Sequence, residues 1–441
     1  MNIIHLRLRA LHRSTVWPAL IAVLLLAASS IEVPAQEIKV VAPEKVGLSS
    51  ERLARLDKAM QEEIDQKRKA GIVVLIARRG SIAHFKAYGM ADIESDVKMR
   101  TDHLFRVYSM TKPITSVALL TLYEEGKFQL TDPLEKYIPA FKGVKVFAGL
   151  DAQGKVILEE PKRKITIQDV FRHTAGFSYG MGDTPVDKAY QQADIRTSSK
   201  TIGSLKELID KLATMPLLYQ PGERWVYSYA HDVQAYLIEH FSGMRFDDFV
   251  IRRIIKPLGM KDAVFGIPKD YVARFAVTYV PAEGGGLKVR QKPVENTDVW
   301  KSNAFSAPSG SGGGGLSCSP MDYFLFSQML LNGGKLGGVR ILGKKTVELM
   351  TSNNLPAQIG DMGEILQQWG GYGLGVGVIV DPAGSGNLGS TGAFGWGGAA
   401  GTYAIIDPKE QMVSLLFTQC MTLDQTLRLQ FQTLVYQAVV D

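Results

Sequence analysis

Two serines in this chain stand in patterns that can make a nucleophile. The first is Ser109, in Phe105-Arg106-Val107-Tyr108-Ser109-Met110-Thr111-Lys112-Pro113. Ser-x-x-Lys alone is a weak pattern, and Ser95-Asp96-Val97-Lys98 repeats it nearby. The residues downstream of each serine separate them. After Ser109 come Ile114, Val117, Ala118, Leu120 and Leu122, apolar nearly all round, which reads as a buried helix. Pro113 is tolerated in a first turn. Ser109 is therefore expected at a helix N-terminus, where amide groups and the macrodipole favour negative charge. Lys112 falls on the same face, where it can lower the pKa of the serine hydroxyl and pass protons. Ser95 lies in a charged stretch with no such helix after it.

The second is Ser178, in Gly176-Phe177-Ser178-Tyr179-Gly180, which matches G-x-S-x-G. A nucleophile elbow needs a strand before the serine and a helix after it. Here a helical segment precedes and a polar loop comes after, so Ser109 is the stronger candidate. Two more segments fit Ser109. Pro221-Gly222-Glu223-Arg224-Trp225-Val226-Tyr227-Ser228-Tyr229 is a turn leading into a helix at 232. Gly392-Ala393-Phe394-Gly395-Trp396-Gly397-Gly398-Ala399-Ala400-Gly401 reads as a Gly-rich strand against which a substrate can lie close. His173 ends a helical segment, where interaction with the dipole is a simpler role than membership of a Ser-His-Asp triad. The seven histidines show no H-E-x-x-H or paired ligand spacing, so no metal and no cofactor is expected.

The elements that must hold these residues are legible in outline. Leu53, Leu56, Met60 and Ile64 share one face of a helix over 50–66. Ile72 to Ala77 and Ile82 to Tyr88 read as a hairpin turned at Arg79-Gly80. Near the C-terminus, 372–380, 401–406 and 412–418 read as strands and 425–440 as an amphipathic helix. Strands from both ends of the chain are thus expected in one antiparallel sheet, with the terminal helices on a face. The middle is helix-rich: Thr166 caps a helix to about His173, and helices at 205–214, 232–242 and 320–331 come after it. Segments 178–203 and 282–300 are expected as irregular loops bordering a cleft.

In order and spacing, this set of segments resembles the serine β-lactamase and penicillin-binding superfamily, closest to class C β-lactamases and family VIII carboxylesterases. The resemblance covers about residues 44–440. It includes Ser109-Met110-Thr111-Lys112, Arg172-His173-Thr174-Ala175-Gly176, Pro221-Gly222-Glu223 before Tyr227, Pro257-Leu258-Gly259-Met260, the Gly312–Leu316 loop and Trp396-Gly397-Gly398. It implies an α/β fold whose mixed, mainly antiparallel sheet is flanked by helices. A mostly helical lobe (about 114–317) would be inserted between 36–113 and about 318–441, with the active site between the lobes.

The resemblance further implies Ser109 as nucleophile, Lys112 as its proton partner and Tyr227 as a second acid/base group. The oxyanion hole would be the amides of Ser109 and Ala399. Trp396, Gly397, Gly398 and Tyr229 fall where substrate is bound. A phenol titrates near about 10, and a neighbouring cation lowers that value, so whether Lys112 or Tyr227 takes the first proton stays open. Two positions depart from the β-lactamase pattern. Tyr229 stands where those enzymes carry Asn, and Trp396 where they carry the Lys of Lys-Thr-Gly. An indole suits an apolar acyl or alcohol group. The expected activity is therefore a serine hydrolase acting through an acyl-enzyme on short-acyl esters. A β-lactamase or D-peptidase is the alternative, and a non-catalytic penicillin- or peptidoglycan-binding protein the third reading. The expected partner is a small-molecule ester or amide.

Composition sets the bounds. The chain has 441 residues, 46% apolar and 21% charged, which is a globular balance. Arg7, Arg9 and Arg13, the apolar run Ala19 to Ala28, and Val33-Pro34-Ala35 have the layout of a secretory signal cleaved after Ala35. A periplasmic or secreted protein is expected, with no stable membrane span once residues 1–35 are removed. Those residues carry three Arg and one Glu, so the +6 of the whole chain becomes +4 without them. Lys67-Arg68-Lys69 and Lys162-Arg163-Lys164 sit beside acidic residues and read as solvated faces rather than a nucleic-acid surface. Export permits a Cys318–Cys420 disulfide, but two buried free thiols are the simpler expectation.

Overall fold

A computed structural model of the chain describes residues 38–195, 202–296, 310–359, 363–422 and 426–441. The expected signal, residues 1–35, lies outside them. Helix α1 (Ser50–Asp65) starts where the Ser49 hydroxyl accepts the Arg52 amide, and it buries Leu53, Leu56 and Met60. The hairpin comes next as β1 (Gly71–Arg78) and β2 (Ser81–Asp92), with β3 (Val97–Lys98) beyond. Helix α2 (Thr111–Glu124) is buried on all sides from Thr111 to Leu122. A second hairpin, β4 (Val146–Leu150) and β5 (Val156–Glu159), projects before α3 (Ile167–Phe171). Then come α4 (Pro185–Gln192), α5 (Leu205–Ala213), α6 (Ala230–Ser242) and α7 (Pro320–Leu331). The C-terminal strands are β6 (Gly370–Tyr372), β7 (Gly377–Ile379), β8 (Phe394–Gly397), β9 (Tyr403–Asp407) and β10 (Met412–Thr418), with α8 (Thr426–Tyr436) after them.

One eight-stranded antiparallel sheet joins the two ends of the chain in the order β6-β7-β8-β9-β10-β1-β2-β3. Its centre is the β1–β10 pair, with Leu75 opposite Leu415. Every residue of β1 is buried, because both faces are covered. Ile72, Val74 and Ile76 pack with Leu56 of α1 and Phe431 of α8. Val73, Leu75 and Ala77, pointing the other way, pack with Ile114 of α2 and Phe324 of α7. The sheet is therefore flanked by helices on both faces, and α2 carries the Ser109 turn into its core.

Several elements differ from those expected of the sequence. The expected strand 372–380 is two short strands, β6 and β7, separated by Gly373–Val376. The expected loop 178–203 contains α4, opened by Thr184 in a capping box with Asp187 and by Pro185 in its first turn. The expected loop 282–300 contains the strand Leu287–Gln291, paired with Thr278–Pro281. Residues 196–201 and 297–300 of those loops lie outside the described residues. Cys318 and Cys420 are both buried free thiols. Among the described residues no helix is long and apolar enough to cross a membrane.

Candidate active site

Ser109 sits in a short 3-10 turn, Tyr108–Met110, that runs straight into α2. Tyr108, directly before it, has φ of 45°, in the left-handed region that costs a bulky residue energy. Lys112 is one turn on, and its side chain is 1% exposed. Its Nζ lies 3.2 Å from Ser109 Oγ and 2.7 Å from the Gly313 carbonyl. A buried amine is thus held against the hydroxyl by helix geometry on one side and by a loop carbonyl on the other.

That loop is pinned from two helices. The Thr115 hydroxyl donates to Gly312 O at 2.7 Å, and the Leu316 amide donates to Thr111 Oγ1 at 3.1 Å. Gly312 passes so close to α6 that a Cβ there would lie 2.4 Å from the His231 carbonyl. From α6 the buried Asp232 accepts the Ser311 hydroxyl at 2.6 Å. Burial pushes the Asp232 carboxyl above its ordinary range, against the opposing pull of Ser311 and of Lys112. No sequence motif marks Asp232, although it stands in the first turn of a helix that the sequence predicts.

Tyr227 lies in the segment entering α6, with its ring facing Lys112: Nζ is 4.6 Å from the ring centroid. Its hydroxyl accepts the Trp396 indole N–H at 3.3 Å. Among the described residues it makes no hydrogen bond to Ser109 or Lys112. The ring is held by Trp225, stacked at 5.9 Å, and by His173 at 4.9 Å.

His173 is buried beneath Tyr227, its Nδ1 3.2 Å from the Ser228 hydroxyl, and burial pushes its pKa well below the imidazole range. Its ring partner is Ser228 and not Ser109, in keeping with its place outside a triad. Ser178 is likewise buried, donating to Asp187 at 2.5 Å and accepting the Gly180 amide at 2.9 Å. Its hydroxyl serves the turn into α4.

The end of β8 closes the other side. Gly398 packs onto the Ser109 turn so tightly that a Cβ would lie 2.3 Å from the Val107 carbonyl. Ser109 and Ala399 both line the cavity wall. Among the described residues the Ala399 amide has no backbone carbonyl partner. The cavity has a volume of about 640 Å³, and Ser109, Lys112, Tyr227, Trp396, Gly397, Gly398 and Ala399 all line it. Tyr229 does not. It is buried behind Tyr179 at the start of α6, with its hydroxyl toward the Ile195 carbonyl at 3.3 Å.

The walls are aromatic: Tyr179, Tyr227, Trp369 and Trp396 face the space. They are not without charge, contrary to what Trp396 in place of lysine implies. Arg428 of α8 lines the cavity and donates to the Gly398 carbonyl, and Arg290 also reaches the wall. Burial lowers the Arg428 pKa from the usual guanidinium value. Both cations come from elements distant in sequence, which no local motif marks. Among the described residues no three His, Cys, Asp or Glu side chains converge as metal ligands.

The fold has parallels in known proteins. A family model described as Beta-lactamase matches residues 56–436. Esterase EstB of Burkholderia gladioli is 28% identical over 382 residues, covering 83% of this chain and 90% of the relative. A Salmonella typhimurium protein provisionally named a D-alanyl-D-alanine carboxypeptidase is 27% identical over 409 residues, covering 89% of this chain and 87% of its own. Among solved structures, EstCE1, described as a hydrolase with promiscuous acyltransferase activity, superposes with a TM-score of 0.72 at 25% identity. That match covers 88% of this chain and 98% of EstCE1.

Proposed function

The chain belongs to the beta-lactamase family of serine hydrolases, and from that premise we propose that it is a carboxylesterase acting on short-acyl esters through an acyl-enzyme. One observation carries the reading: Ser109 Oγ lies 3.2 Å from a buried lysine amine, in a cavity with aromatic walls. In this reading Ser109 Oγ attacks the ester carbonyl carbon and its proton passes to Lys112, the basic group in contact with it. The amides of Ser109 and Ala399 hold the oxyanion, each worth roughly 3 kcal/mol of barrier. The carbonyl–alkoxy bond then breaks, and the leaving alkoxide takes a proton from Tyr227 or Lys112. Water adds to the acyl-enzyme by the same route, releasing the acid and restoring Ser109.

The aromatic walls favour an uncharged ester, and the similarity to EstB agrees with this. The Arg428 guanidinium favours the second reading, a β-lactamase or D-peptidase, since both substrates carry a carboxylate. The test compares kcat/KM for a butyrate ester, a cephalosporin and a D-alanyl-D-alanine peptide on one preparation. The ester should be preferred by at least tenfold. Preference for either carboxylate substrate moves the assignment to the second reading, and no turnover of any leaves a binding protein. We also propose export, from the basic start, short apolar core and Val33-Pro34-Ala35; sequencing of the native N-terminus should begin near Gln36.

A further inference from the structure

Among the described residues, the β4–β5 hairpin gathers several exposed apolar side chains in one place. Leu150, Val156, Ile157 and Leu158 are 51%, 41%, 43% and 47% exposed. They make up four of the twelve large apolar side chains exposed among the described residues. β4 pairs with β5 on one side and is bridged to Leu217 at Val146 on the other, whereas β5 has no second neighbour strand among the described residues. An open strand edge of this kind is usually blunted by an inward charge, a proline or a bulge. Here the bulge lies in β4, at Phe147/Gly149, and the outer strand Val156–Glu159 has no proline and no bulge; its one charge, Glu159, is at its exposed end, where it accepts the Gln220 amide at 2.6 Å.

We propose that β5 is a self-association edge, pairing antiparallel with β5 of a second copy about a two-fold axis through Ile157. The sequence is complementary to itself in that register. Val156 falls opposite Leu158 of the second copy, and Lys155 falls opposite Glu159, with each pair occurring twice. Shifting the register by one residue, to an axis between Ile157 and Leu158, would set Lys155 opposite Glu160 and Val156 opposite Glu159. It would thereby lose an apolar pair. On one face of the hairpin Phe147 stands across from Leu158 and Leu150 from Val156. Pairing the two hairpins makes that strip continuous across four strands. On the other face Ile157 meets its own copy between two opposite-charge pairs. A two-fold contact of this kind uses the same patch on both subunits and closes as a dimer.

The contact is small, so association belongs to the weak class and is read at about 50 µM protein. Sedimentation velocity of the full mature chain should give a dimer at that concentration. Lys155→Glu and Glu159→Lys should each sediment as monomers, since each sets like charges opposite one another. Mixing the two variants should restore a dimer, because both pairs across the axis then join an acidic to a basic side chain again. Ile157→Cys should form an intermolecular disulfide on mild oxidation, and Leu150→Cys should not. The two native thiols are buried and do not confuse this result. Ester turnover and circular dichroism report whether each variant is folded. A monomeric wild type overturns the proposal, as does a dimer indifferent to both charge reversals or a mixture that stays monomeric. Co-sedimentation of a monomer with phosphatidylcholine vesicles assigns the apolar strip to a lipid surface and also overturns it.

Discussion

Replacing Tyr227 by Phe separates a proton-transfer role from a wall. The substitution keeps the ring, hence the contact with Lys112 Nζ at 4.6 Å and the stacking on Trp225. It removes only the hydroxyl, whose one protein partner among the described residues is the Trp396 indole N–H at 3.3 Å. If that hydrogen bond is all the hydroxyl provides, the loss is about 1 kcal/mol, or roughly fivefold in rate. If the hydroxyl gives a proton to the leaving alkoxide, kcat should fall by roughly 10²–10⁴, about 3–5 kcal/mol of barrier. The two outcomes do not overlap. The assay is kcat and KM for p-nitrophenyl butyrate, with thermal melting to show that the variant is folded. Trp396→Phe removes the other half of the hydrogen bond, and because Trp396 also lines the cavity its effect should fall mainly on KM, with kcat within roughly fivefold. Tyr229→Phe, buried away from the cavity, should leave kcat within a few-fold. A folded Tyr227→Phe enzyme within fivefold of wild type would refute the acid/base role and leave Lys112 alone with the proton.

Three further outcomes are expected from the geometry. Gly398→Ala puts a Cβ 2.3 Å from the Val107 carbonyl, so the Ala399 amide must move; kcat should fall at least about 100-fold with little change in KM. Asp169 is fully buried and takes bonds from Arg163, Arg172, Thr166 and Thr174; burial opposes its ionisation, but these partners win and hold its pKa to about 2. The contribution, about 2 kcal/mol, is present above pH 4 and lost as pH falls toward 2; Asp169→Asn should therefore destabilise at neutral pH, and the gap in thermal stability should narrow in acid. Asp322, in the cap of α7, is pushed up to about 6 mainly by burial. Its protonated form is favoured on folding, so wild type should lose stability relative to Asp322→Asn as pH rises from about 4 through 6, which thermal melts at pH 5 and 7.5 would read.

The sheet was legible because its strands carry their own signal. Ile72 to Ala77 is apolar on both faces, and the matching run 412–418 lies beside it across more than 300 residues of chain. The Thr166 cap is equally readable. A capping box of the same kind opens α4 at Thr184, with Pro185 in its first turn, yet the surrounding Gly and Asp residues make the segment read as loop. Ser109 and Lys112 were legible because three residues of helix fix their separation. Asp232, Arg428 and Arg290 were not, because each reaches the cavity from an element that only the tertiary fold brings there. Tyr229 differs for the opposite reason: its type and position fit the site, but its ring is consumed by packing behind Tyr179.

The central claim is that Ser109 is the nucleophile. Treating active enzyme with an organophosphonate until ester turnover stops, then mapping the adduct by peptide mass, tests it directly. The expected result is one stoichiometric adduct on Ser109, with Ser178 unmodified and Ser109→Ala inert to the reagent. An adduct on Ser178, or inactivation of a Ser109→Ala variant that still turns over ester, would contradict it.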